Sequence, residues 1–211
     1  MPTSKYKKRY KVRYKKGLVN LDYPGLRKIK ESLTFQEVQK LTMACETIEQ
    51  KALVELAVST GIRRNDIVNI EIHKIDLKNR KIMFWEEKKD RMWMVALSPE
   101  VCQTLKIYMN TLPKKQRFLF KFSGRTAYNM LQGLLDEAGI NKHIPFHALR
   151  RTYIRLSKRL GRDTRFVMDQ TGDSARVILE EYEGYSVDEM VEIMDRDNIL
   201  RRARATQHFL T

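Results

Sequence analysis

The 211-residue sequence predicts an α+β fold, mostly α, with one small antiparallel three-stranded sheet. Two capping boxes, Thr34-Phe-Gln-Glu37 and Ser186-Val-Asp-Glu189, stand before runs whose apolar residues recur three and four apart, the local signature of a helix start. From Ile70 the period changes, and short runs rich in Ile, Met, Phe, Trp and Val are separated by polar breaks, as in strands. Hydrophobic residues make up 42% of the chain, enough to bury a core.

The elements follow in order. Thr34 opens a helix carrying Phe35, Val38, Leu41 and Thr42. A second helical pattern uses Ile48, Ala52, Leu53, Leu56 and Ala57 and stops near Gly61, where glycine tolerates the left-handed turn that ends helices. Segments 71–77, 81–86 and 91–97 predict the sheet. Ser98-Pro99 supplies an N-cap and a first-turn proline for a helix running to about Thr111. Helices are expected at 124–138, 146–160, 163–171 and 174–183, the first three closed by Gly139, Gly161 and Gly172. The second capping box opens a last helix towards residue 205. There is no internal repeat. Residues 1–31 read as a basic arm or linker and 32–211 as one domain with a C-terminal helix.

Lys+Arg number 41 against 26 Asp+Glu, a net charge of +15, which points to a polyanion and most simply to nucleic acid. Residues 1–30 hold eleven bases and one acid, Asp22, so +10 of that charge lies in the arm. Between Lys5 and Lys16 eight bases alternate with Tyr6, Tyr10, Val12 and Tyr14, without an acid. Lys7, Lys8, Arg9, Lys11, Arg13, Lys15 and Lys16 therefore read as phosphate-neutralising residues of a DNA-binding arm. A solvated tail is the plainer alternative, and the tyrosine alternation also suits an edge strand. No apolar run approaches the ~20 residues that span a bilayer, so no membrane partner is expected and the cytoplasm, with its DNA, is the expected location. Cys45 and Cys102 are too few for a disulfide framework or a Cys-rich zinc site. The histidines at 73, 143, 147 and 208 lack metal-ligand spacing with them, and no phosphate-cradling glycine loop occurs, so no metal is expected.

Four segments remain, and they occur in a telling order. They are Thr60-Gly-Ile-Arg63-Arg-Asn-Asp66-Ile; Lys88-Lys-Asp-Arg-Met-Trp-Met-Val-Ala-Leu97; His147-Ala-Leu-Arg150-Arg-Thr152; and Thr171-Gly-Asp173-Ser174, with Tyr182 nine positions beyond Asp173. Together they resemble the boxes of the tyrosine recombinase (integrase) family: TGLRxSEL, the hairpin box K-G-x-K-x-R-x-V-P-L, H-x-L-R-H-T, and L-G-H-S with its downstream nucleophile. The interval of twenty-three from Arg150 to Asp173 also matches. The resemblance covers roughly residues 33 to 185.

It implies the tyrosine recombinase catalytic fold and a site-specific DNA recombinase or integrase, such as a mobile element carries. Such an enzyme works through a 3′-phosphotyrosyl intermediate, needs no cofactor, and acts on double-stranded DNA at a specific site with self-association there. By the same resemblance, Arg63 and Arg150 clamp the scissile phosphate, Lys88 is the general acid, His147 handles protons, and Tyr182 attacks. The chemistry suits these residue types. Phenolate is a good enough leaving group for the reverse step, arginine forks bind equatorial phosphate oxygens bidentately, and a departing 5′-oxygen needs a proton. His147 and Arg150, three apart on a helix, share a face. Arg64, Lys89 and Tyr185 remain alternatives to Arg63, Lys88 and Tyr182, and His147 could simply be a helix-start histidine satisfied by backbone.

Three departures stand out. Asp173 occupies the position where the family has a His or Trp that donates to the phosphate, and an ionised carboxylate cannot donate. Ala96 replaces the hairpin-box proline. Only about 31 residues precede the Thr34 cap, where family members carry a further DNA-clamping domain of ~100 residues. The chain thus reads as a catalytic fragment or as a minimal recombinase whose arm substitutes for the clamp. After Tyr182 the apolar residues Val187, Met190, Val191, Ile193, Met194 and Leu200 suit a helix that docks on a neighbouring protomer or packs on its own domain. The rival function is a non-catalytic DNA-binding protein that retained the fold; an RNA-binding module lacks the aromatic motif it would need.

Overall fold

The computed structural model describes residues 31–86, 91–178 and 191, with backbone alone at 14–15, 18–19, 85–86, 91 and 177. Lys88, Lys89, Tyr182, Tyr185, the helix expected from Ser186 and every arm base except Lys15 lie outside the described residues. The chain divides into a unit of residues 30–183 and a second of 1–29 with 184–211. In the second, strands β1 (Tyr14–Lys15) and β2 (Leu18–Val19) pair antiparallel, Tyr14 opposite Val19.

The larger unit is built on helix caps. Thr34 and Glu37 close their reciprocal box at the start of α1 (Phe35–Met43). A second box, Thr47 with Gln50, starts α2 (Ile48–Thr60) and escaped the sequence reading, although its T-x-x-Q spacing is the same signal. α2 buries Ala52, Leu53, Val54, Leu56, Ala57 and Thr60, residues distributed around the helix, because it is the central rod on which other helices lie. It packs against α4 (Pro99–Thr111) on one side and α6 (His147–Arg159) on another. Between them in sequence come the short α3 (Arg64–Val68), which no sequence pattern announced, and α5 (Gly124–Glu137), capped by Ser123. Asp163 caps α7 (Thr164–Thr171), and α8 (Ala175–Val177) follows. Leu41, Leu53, Leu56, Ile67, Leu105 and Leu131 are almost wholly buried in one continuous core. Each contributes roughly 1.5–3 kcal/mol of burial relative to exposure.

The sheet has the expected three strands and differs at its first. β3 (Ile75–Asp76), β4 (Lys81–Glu86) and β5 (Arg91–Ala96) lie in the order β3–β4–β5, all antiparallel. The strand expected over 71–77 is reduced to two residues, because Ile72–Lys74 forms a 3-10 turn and the chain before it pairs elsewhere. Ile72 N–H donates to the Arg117 carbonyl at 2.9 Å and Leu119 N–H to the Ile70 carbonyl at 2.7 Å. Glu71 secures that junction. Its carboxylate accepts from Arg117 Nε at 2.8 Å and pairs with Lys74 Nζ at 3.0 Å, and these partners, Arg117 foremost, pull its pKa down to about 2. Register sets the faces of the hairpin. Ile82 opposite Val95 and Phe84 opposite Trp93 turn inward, while Met92 and Met94 are exposed.

Among the described residues no helix is long and apolar enough to cross a membrane.

Candidate active site

Two helix C-termini meet over one arginine. α2 ends at Gly61 with φ 67° and α7 at Gly172 with φ 73°, the left-handed conformation that glycine adopts without a Cβ penalty. Each is preceded by a threonine that locks the turn in the same way. Thr60 Oγ1 donates to the Leu56 carbonyl and accepts from Ile62 N–H; Thr171 Oγ1 donates to the Val167 carbonyl and accepts from Asp173 N–H. The carbonyls left at these ends point at Arg150. Its Nη1 donates to Gly61 O at 2.5 Å and its Nη2 to Thr171 O at 2.9 Å. Two helix ends, each carrying partial negative charge, thus receive the guanidinium. Gly61 is doubly constrained, since a Cβ there would lie 2.6 Å from Tyr153 Cδ1 on α6.

Arg150 is 2% exposed, and burying a charge this deeply requires a counter-charge. Asp173 supplies it. Its Oδ2 accepts from Arg150 Nε at 3.0 Å and pairs with Nη2, while its Oδ1 accepts from Arg63 Nη2 at 2.8 Å. One carboxylate therefore bridges two arginines from distant parts of the chain. Arg63 gets there because it caps α3 with extended backbone, just beyond Gly61. Its side chain remains 44% exposed, against 8% for that of Asp173.

Arg63 and Gly172 reach from this cluster into the lining of an open cleft of about 1170 Å³. Arg63, Arg64, Arg125 and His147 bring positive or protonatable groups to its wall, and Phe84, Trp93, Tyr128 and Phe146 bring aromatic ones. His147 is the first residue of α6 and is exposed to the cleft. Arg64 takes a different place from Arg63: it packs on the start of α5, where a Cβ on Gly124 would come within 2.8 Å of its Nε. Arg63, His147, Arg150 and Asp173 are thus brought together. Among the described residues no three His, Cys, Asp or Glu side chains cluster closely enough to hold a metal ion.

Residues 31–183 match the phage integrase family. The chain belongs to that family. As an integrase-family chain it is 29% identical over 135 residues to the tyrosine recombinase XerA of Saccharolobus solfataricus, a match covering 64% of this chain and 45% of that relative. Its fold is that of a solved XerA recombinase, with a TM-score of 0.74 at 23% identity over 82% of this chain and 66% of the other. The XerH site-specific recombinase bound to its difH substrate before cleavage gives 0.65 at 21% identity, over 79% and 54%. The chain spans less than half the length of the S. solfataricus relative. The mostly helical fold with a small sheet, expected from the four boxes, is the fold of these recombinases.

Within this integrase-family site, four residues were not anticipated, three of them lining the cleft. Arg125 and Tyr128 stand three apart on the first turns of α5, the arginine 5.6 Å over the tyrosine ring. A base and an aromatic at helical spacing after a serine cap was a readable signal. Trp93 donates from Nε1 to the Asp169 carbonyl at 2.9 Å and lies against Gly172. Gln170, 7% exposed, bonds both ways with Ala96 on β5. Nothing local in the sequence marks either of these last two, because both act on partners more than seventy residues away.

Proposed function

We propose that this chain carries the catalytic region of a site-specific DNA recombinase of the integrase kind, breaking and rejoining strands through a covalent 3′-phosphotyrosyl link. The observation that carries the reading is the convergence of Arg63 and Arg150 on a single carboxylate, with Arg63 lining a cationic, aromatic-walled cleft that His147 also faces. A carboxylate between two guanidinium groups marks a place built for an oxyanion, and a phosphodiester presents one.

In the proposed reaction the scissile phosphate enters the cleft and takes up the arginine donors now on Asp173. The Tyr182 oxygen attacks phosphorus, forming an O–P bond as the P–O5′ bond breaks, and its phenolic proton passes to His147. Lys88 protonates the departing 5′-oxygen. Negative charge grows on the non-bridging oxygens, where Arg63 and Arg150 act. Arg150 needs no reorganisation, being held already by Gly61 and Thr171. Reversal with a new 5′-hydroxyl joins strands, and since bond energy is kept in the phosphotyrosine, the cycle requires no cofactor. The arm residues Lys7 to Lys16 add sequence-independent phosphate binding, and residues 32–211 act as one catalytic domain that associates with further copies on DNA in the cytoplasm.

A second reading is favoured by one feature, the Asp173 carboxylate itself: a DNA-binding protein that keeps the fold but no longer cleaves. A pool of nicked duplexes of random sequence, in which the nick lets a short cleaved fragment diffuse away, separates the two. The recombinase reading expects a covalent protein–DNA adduct that vanishes in Tyr182→Phe. Binding without adduct gives the second reading, and an adduct lost in Tyr185→Phe instead moves the nucleophile there.

A further inference from the structure

A second pocket adjoins the cleft, and Asn69, at the end of α3, lines both. It has a volume of about 530 Å³, and the segment between α4 and α5 supplies Lys115, Arg117, Phe118, Lys121 and Phe122 to its wall. Among its described lining residues there is no acid. The sequence around it has the same bias. From Val101 to Leu135 the chain carries six bases and no acid, and of these bases only Arg125 belongs to the first cleft.

The wall of this pocket is fixed in place. Ile72 N–H donates to the Arg117 carbonyl, Leu119 N–H to the Ile70 carbonyl, and Gln116 Nε2 to the Phe118 carbonyl at 2.8 Å. Arg117 stands over the Phe118 ring, 5.1 Å from its centroid, while Glu71 holds the guanidinium by its Nε at 2.8 Å. Phe118 nevertheless remains 37% exposed, whereas Phe120 is buried and stacks on Phe122. Leaving such a ring in water forgoes the stabilisation that burial would give. Lys115 and Lys121 are exposed as well, and among the described residues neither meets a carboxylate. The Glu71 charge is taken up by Arg117 and Lys74.

An exposed ring beside uncompensated bases fits a ligand with a flat π-face and an adjoining negative charge, which describes a nucleotide. In a duplex both faces of a base are covered by its neighbours, so an unpaired nucleotide is the one that can stack on a side chain. An acidic peptide would meet the lysines but leave the ring without a partner. We propose that this pocket binds an unpaired DNA nucleotide, its base on Phe118 and its phosphates on Lys115 and Lys121. In the proposed reaction a cleaved strand must leave its complement before its 5′-hydroxyl joins a new one, and a pocket continuous with the cleft at Asn69 holds that strand meanwhile. This role rests on the recombinase reading; the binding itself does not.

Photocrosslinking tests it on the full chain. The probe is a thymidine strand of about ten nucleotides, within the range of single-strand sites, carrying one 5-iododeoxyuridine. Irradiation joins that base to an aromatic ring stacked on it, and excess paired duplex occupies the basic arm. The crosslink is expected on Phe118, in the tryptic peptide Phe118–Lys121. Phe118→Leu keeps the apolar bulk without the π-face and should lower the yield about tenfold, and Phe118→Trp should retain it. Lys115→Gln combined with Lys121→Gln should also lower it about tenfold, and this variant, altered only at exposed positions, carries the test if Phe118→Leu does not fold. Crosslinks confined to other residues, an equal yield when the iodouridine is paired in a duplex, or parental yields in these variants overturn the proposal. So does protection of Lys115 and Lys121 from acetylation by a glutamate homopeptide but not by the strand, which would make the pocket a site for acidic peptides. Adduct formation on nicked duplex is a separate measurement: its absence refutes the recombinase reading and leaves the crosslink to decide the pocket.

Discussion

The carboxylate of Asp173 lies against the buried guanidinium of Arg150, its Oδ2 3.0 Å from Nε, and with its other oxygen it reaches Arg63. In the proposed reaction this pairing competes with the phosphate. An incoming phosphodiester gains two arginines only as the carboxylate gives them up, and the remaining charge would repel it. Asp173→Asn is expected to bind inorganic phosphate about tenfold more tightly, a gain of ~1.4 kcal/mol. Asp173→His should cleave DNA at least as fast as the parent. Phosphate titration by calorimetry and single-turnover cleavage measure the two; a large loss of cleavage in Asp173→His would show that the aspartate has a required role.

The two arginines should separate cleanly in stability. Removing Arg150 leaves two buried helix-end carbonyls without their donor and Asp173 with Arg63 as its remaining partner. Arg150→Ala is therefore expected to lose about 3–5 kcal/mol in urea unfolding. Arg63 is nearly half exposed, so Arg63→Ala should change stability by less than ~1 kcal/mol. Both should abolish the adduct. A stability loss in Arg63→Ala matching that of Arg150→Ala would contradict the burial difference.

Salt dependence isolates the arm. Replacing Lys7, Lys8, Arg9, Lys11, Arg13, Lys15 and Lys16 by glutamine should lower the slope of log affinity against log salt by up to ~6, at about 0.9 for each phosphate no longer neutralised. Residues 31–211 hold thirty bases against twenty-five acids and should retain only a shallow slope. An unchanged slope in the seven-residue variant would place phosphate neutralisation elsewhere in the chain.

The thiols offer a pH test. Burial, aided by the nearby Glu55 charge, pushes the Cys45 thiol up to about 11, and burial raises Cys102 in the same direction. A raised pKa means less thiolate at a given pH, and thiolate is the reactive form. At pH 8, Cys45 should react with iodoacetamide roughly a hundredfold more slowly than an unperturbed cysteine, the factor that two pKa units give. The rate should climb until about pH 11, and unfolding in urea should erase the difference. Mass spectrometry of the alkylated peptides reads it directly.

The parts of this fold that were legible in sequence are those decided within a few residues. Thr34, Ser98 and the glycines 61 and 172 announced helix ends because caps are local hydrogen bonds and local dihedral angles. β4 and β5 were legible because their alternation carries the two faces of a hairpin. The strand expected over 71–77 failed where a remote partner intervened. Arg117, forty-six residues from Glu71, draws that segment into another pairing.

The same division runs through the site. Sequence alone determined which residue types were available and in what order: Arg63, His147, Arg150 and Asp173 stand at the intervals of an integrase-family chain, and the acid at 173 was visibly out of pattern. Tertiary structure decided what the acid does. Gly61 lies eighty-nine residues from Arg150 and Asp173 lies one hundred and ten from Arg63, yet all four meet because α2 and α7 end at one place. The burial of Arg150 and the carbonyls that hold it are set by how the helices pack. Burial is a property of the packed core, and no spacing in the chain can state it.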